Sequence, residues 1–138
     1  MLVNNPLARR PSEMEERELN PQMILVAGPY RSGTGDDPAK MAANLKRLEE
    51  ASWPLFKLGH VPMIGEWVAQ PVWRVAGGAA TGDALYEEIF YPTAHRLIRM
   101  CDAVLRLPGA STGADNDVKL ARERGIPVYF KIEDVPPA

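Results

Sequence analysis

The chain has 138 residues, 46% hydrophobic and 25% charged, with a net charge of −2. This is the size of one globular domain, and the charge balance excludes a broad basic face for nucleic acid. With one cysteine, Cys101, and two histidines, His60 and His95, the chain can form no internal disulfide and has too few ligands for a Cys/His zinc site.

Residues 1–21 mix arginines with glutamates and have no sustained apolar face, so they read as a flexible or partner-docked arm. Ser12 and Glu15 form a capping-box pair for a short helix within it. Residues 22–138 read as a single domain. Met23–Ala27 is a continuous apolar run ended by Gly28-Pro29, as in a strand buried on both faces. After a polar loop, Asp37-Pro38 supplies a cap and a first-turn proline. Apolar residues at three-to-four spacing predict helix from there to about Leu58, kinked or broken by Pro54. His60–Ile64 is a second strand, Glu66–Ala76 a helix, and Gly77–Gly82 a loop. Asp83–Met100 is helical with a break expected near Pro92. Ala103–Leu107 is a third strand, Ala114–Arg124 a helix closed by Gly125, and Ile126–Phe130 a fourth strand. Strands alternating with helices predict an α/β fold. It is a doubly wound, flavodoxin- or Rossmann-like parallel sheet of roughly four to five strands flanked by helices, with Met23–Ala27 and Ala103–Leu107 adjacent at its centre. No apolar run reaches the ~20 residues of a membrane span and no signal peptide is evident, so a reducing cytoplasm is the expected setting.

In such sheets ligands bind beyond the carboxyl ends of the strands. Those ends are Gly28–Gly35, Ile64–Trp67 and Pro108–Gly113. The first loop, Gly28-Pro29-Tyr30-Arg31-Ser32-Gly33, has no lysine after Gly33 and no third glycine of a dinucleotide fingerprint. It fits either a general anion or sugar cradle, with Arg31 as a bidentate donor, or a flexible turn with a solvated arginine. The second loop holds Gly109, Ser111 and Gly113, and Asp117 follows about one turn inside the next helix. The helix dipole would hold that carboxylate ionised, as a nucleophile needs; equally, Asp115 and Asp117 could do no more than complement the dipole. His60 reads as a structural histidine, Cys101 as inert core, and Asp83, Glu87 and Glu88 as a solvated helix face. Trp53, Trp67 and Trp73 read as core or interface.

The Ala-Gly-Pro-Tyr start, Gly59-His60-Val61-Pro62, Cys101-Asp102-Ala103-Val104, Leu107-Pro108-Gly109, Ser111-x-Gly113-Ala114-x-x-Asp117 and Gly125-Ile126-Pro127-Val128 resemble the nucleoside 2-deoxyribosyltransferase superfamily, in particular a branch of small bacterial and phage proteins. The resemblance spans about residues 23–130. It implies cleavage of an N-glycosidic bond, by hydrolysis or transfer. Asp117 falls at the position of the family's glutamate nucleophile, which attacks C1′ of the sugar. Arg31 and Ser111 match the pattern of relatives that hydrolyse nucleoside 5′-monophosphates. The implied substrate-binding set is Gly28, Pro29, Tyr30, Arg31, Ser32, Gly33, Gly109, Ser111 and Gly113, with no metal or other cofactor. Three features depart from the family: Asp117 is one methylene shorter than glutamate, Leu25 replaces a tyrosine, and Thr93 and Ala94 stand where a base-orienting acid is common. His95 or Glu88 is a stand-in for that acid. The departures keep a second reading open, a nucleotide-binding module without turnover. Relatives complete their sites across a dimer. Residues 65–100 carry Trp67, Trp73, Phe90 and Tyr91, so a homo-oligomer is expected.

Overall fold

A computed structural model of the chain describes residues 19–80 and 83–138, so all but the last few residues of the expected arm lie outside the described part. The capping-box pair Ser12 and Glu15 is outside it too.

Met23–Ala27 (β1) and Ala103–Arg106 (β3) are the two central strands of a four-stranded parallel sheet. The edges are Val61–Met63 (β2), beside β1, and Val128–Tyr129 (β4), beside β3. The central pair runs in register from Ile24 opposite Ala103 to Ala27 opposite Arg106. β2 pairs Ile24 with Pro62, and β4 pairs Leu105 with Tyr129. The expected fold and the central adjacency of β1 and β3 are both observed.

The alternation of side chains along a strand divides the core. Ile24, Val26, Ala103 and Leu105 face one side, with Leu48 and Leu55 packed on them. Leu25, Ala27 and Val104 face the other, covered by Leu97, Ile98, Ala114 and Ala121. The first layer comes from Pro38–Glu50 (α1) and Ser52–Lys57 (α2). The second comes from Ala84–Met100 (α4) and Thr112–Glu123 (α5). Gly65–Val75 (α3) packs chiefly along α4.

The helix ends show where local chemistry acts. Asp37 caps α1 by accepting from the Ala39 N–H at 3.0 Å. The anticipated break falls at Ala51, not at Pro54 itself, because Pro54 cannot donate to Glu50, four residues earlier. The break expected near Pro92 is absent: α4 is continuous from Ala84 to Met100. Tyr86, Leu97 and Ile98 bury its two ends, and the Thr93 hydroxyl donates to the Ile89 carbonyl at 2.7 Å. Packing on both sides of the proline outweighs one missing hydrogen bond. Asp83 stays partly exposed but also works as a cap: it accepts from the Tyr86 N–H at 2.7 Å and from the Trp73 indole at 3.3 Å.

His60 is 3% exposed and structural. Its Nδ1 accepts from the Gln22 N–H at 3.1 Å and its Nε2 lies 2.7 Å from the Pro136 carbonyl, which fixes the Nε2–H tautomer. The ring clasps the entry of β1 to the end of the chain. His60→Ala should lower stability by about 1–3 kcal/mol, by removing a buried ring and leaving the Gln22 N–H and the Pro136 carbonyl without their shared partner. Thermal unfolding followed by circular dichroism measures the loss.

Candidate functional site

The parallel register brings the carboxyl ends of β1 and β3 to one level, and a half-open cleft of about 130 Å³ lies beyond them. Its walls come from four places: the loop after β1, the start of α3, the middle of α4 and the start of α5.

The first loop is tightly folded. Gly28 sits so close to its neighbours that an added Cβ would lie 2.9 Å from Leu48 Cδ2 and 3.3 Å from Leu107 Cβ. Asn44 donates to the Tyr30 carbonyl at 2.8 Å and Gln70 to the Tyr30 hydroxyl at 2.5 Å. Thr34 is buried and donates to the Arg31 carbonyl at 2.5 Å. Asp36 adopts a left-handed φ of 62°. That turn returns its carboxylate to Arg31, whose Nε donates to Oδ1 at 2.6 Å. The Arg31 guanidinium also lies 5.3 Å over the Tyr86 ring. Arg31 is therefore positioned and partly neutralised, and among the described residues its Nη1 has no acceptor.

The second loop ends sooner than the sequence suggests. α5 begins at Thr112, with Ser111 as its cap, the Ser111 hydroxyl accepting from the Ala114 N–H at 3.1 Å. Ser111 is buried at the cleft and still has a hydroxyl proton to offer a ligand. Asp117 becomes the sixth helical residue, beyond the first turn over which the dipole acts. The helix dipole is therefore not what governs its ionisation. Burial pushes its carboxyl up to about 7, and the Glu66 charge pushes the same way, against the Arg106 guanidinium. Arg106 is itself buried beneath the loop, donating to the Leu107 carbonyl and bridging to Asp115 at 2.8 Å.

Of the ten residues anticipated for the site, Gly28, Tyr30, Arg31, Ser32, Ser111, Gly113 and Asp117 line the cleft together. Pro29, Gly33 and Gly109 do not line it. Gly109 has φ 116°, and a Cβ there would meet Pro29 Cγ at 2.7 Å, so this pair holds the two loops against each other.

No family model, curated protein or solved structure matches the chain. What the cleft can do follows from its own residues.

Several of these were not anticipated. Glu66, the second residue of α3, lines the cleft, and burial pushes its carboxyl up to about 7. The available signal was its place just past β2, at a strand's carboxyl end. Tyr86 and Phe90 stack at 3.8 Å between ring centroids, Tyr30 stacks beyond Phe90 at 6.4 Å, and Tyr91 completes an aromatic wall. An i, i+4 aromatic pair on one helix is the sequence sign of such a wall. His95, the possible stand-in for the missing acid, is at the cleft with its Nε2 2.9 Å from the Asn116 amide; Glu88 is not there. Trp67 is turned outward and donates to Glu49 at 2.7 Å.

Two acids with raised pKa values make the folded protein hold more protons than the unfolded chain between about pH 4 and 7. Stability contributed by these groups is therefore lost as pH rises through that window. Asp117→Asn and Glu66→Gln should each raise the melting temperature by several degrees at pH 8 and give little gain at about pH 3, where both acids are largely protonated in either state. Melting curves across that pH range check the difference.

Proposed function

We propose that the protein cleaves the N-glycosidic bond of a nucleoside or nucleoside 5′-monophosphate, with Asp117 as nucleophile. The observation that carries the reading is convergence. A half-buried carboxylate on α5, a hydroxyl capping that helix and a guanidinium from the β1 loop share one cleft with an aromatic wall. The aromatic wall suits a flat base and the carboxylate suits the electrophilic C1′ of a sugar. Arg31 and Ser111 suit a 5′-phosphate. With its pKa near neutrality, a substantial share of Asp117 is ionised at pH 7. Its carboxylate attacks C1′, the base leaves, and water or an acceptor nucleoside releases the sugar. No metal or redox group is needed for these steps. The working place of such an enzyme is the cytoplasmic nucleotide pool.

A nucleotide-binding module without turnover is the second reading. It is favoured by the 2.6 Å contact that spends much of Arg31's charge on Asp36, and by the shortness of aspartate against glutamate. The chain also presents Val68, Val72 and Val75 along one exposed stripe of α3, which supports the homo-oligomer reading. A light-scattering mass of 15.2 kDa at micromolar concentration would refute the oligomer.

The deciding assay is release of free base from a panel of nucleosides and 5′-monophosphates. Asp117→Asn should abolish at least about a thousandfold of the turnover while ligand binding persists. Arg31→Ala should weaken monophosphates about tenfold more than the matching nucleosides. Full activity in Asp117→Asn refutes the nucleophile. Activity that appears only in Asp117→Glu establishes the binding module.

A further inference from the structure

Asp117 supplies a nucleophile, but a nucleobase leaves poorly as an anion, so cleavage also needs an acid at the base. We propose that Glu66 is the catalytic acid that protonates the departing base, acting from α3 across the cleft from Asp117; this rests on the N-glycosidic reading above.

Position singles out Glu66. It comes from a different helix than Asp117 and lines the same cleft. It shares that cleft with Asp117, Tyr30 and Tyr86, and its charge raises the pKa of all three. The other proton carriers facing the cleft fit less well. Burial raises the pKa of both Tyr30 and Tyr86, so they release protons reluctantly, and the Tyr30 hydroxyl is occupied by Gln70. His95 is tied to Asn116 in an exposed contact. The guanidiniums of Arg31 and Arg106 cannot give up a proton at neutral pH. An acid serving only the α3 dipole would sit in water and stay ionised. Glu66 is held away from water and near neutrality, as an acid that must carry its proton at working pH requires.

The step balances. The Glu66 carboxyl gives its proton to a ring nitrogen of the base as the C1′–N bond breaks and its electron pair goes to the base. Asp117 closes an ester with C1′. Water then attacks C1′, the Glu66 carboxylate takes the water's proton, and Asp117 leaves as carboxylate. Both residues return to their starting states, as in a retaining glycosidase with two carboxyls.

The test compares guanosine and 2′-deoxyguanosine, with their 5′-monophosphates, against their 7-methyl forms, whose cationic base leaves without an added proton. First-turnover base release is measured for the native protein and for Glu66→Gln. The variant should be slowed at least about a hundredfold on the ordinary substrates, by far less on the 7-methyl forms, and should lose the alkaline limb of the native pH profile. Formate should restore Glu66→Ala on the ordinary substrates only. Folding is checked by the melting curves above. Equal losses on both substrate types, or failed formate rescue with an intact fold, overturn the role of Glu66. A native protein that cleaves only 7-methyl forms also overturns it. A native protein that cleaves neither type overturns the cleavage reading itself.

Discussion

Four consecutive pairs, from Ile24 with Ala103 to Ala27 with Arg106, set the level at which the two central strands end. Both strands are buried on both faces, so a shift of one residue would turn each apolar side chain into the wrong layer. The cleft inherits that constraint. The Gly28 loop and the Ser111 cap stand opposite each other because β1 and β3 stop together, and the close fit of Gly109 against Pro29 leaves little freedom between them.

Burial of the carboxyls works against stability at neutral pH. Asp117 and Glu66 are taken partly out of water, and neither makes an ion pair among the described residues. Arg106, the cation that favours the charged form of Asp117, is committed to Asp115 and the Leu107 carbonyl. The Glu66 charge adds to burial in disfavouring the ionised form of Asp117.

The sheet was legible because its signals are local. Continuous apolar runs marked β1 and β3, and Asp37-Pro38 marked the start of α1. The two loops that border the cleft were legible from glycine and strand-end position. What escaped depends on tertiary placement. Pro92 bears the local mark of a helix break, yet packing of Tyr86, Leu97 and Ile98 carries α4 through it. Glu66 reads as an ordinary first-turn acid until α3 is laid beside α4. The Arg31–Asp36 pair needs a left-handed backbone at a non-glycine residue, which no spacing announces. For Asp117 the sequence suggests the dipole as the dominant field; burial dominates instead, because Ser111 starts the helix early and leaves Asp117 past its first turn.

The edges of the sheet carry their own message. β2 is three residues long with Pro62 at its centre, and β4 is two residues long and preceded by Pro127. A proline has no N–H to offer an incoming strand, and so short a ladder gives a stray chain little to hold. These edges therefore act as guards against fibril-like stacking while the chain is crowded or newly made. They also direct any orderly association away from strand addition and onto the helical faces.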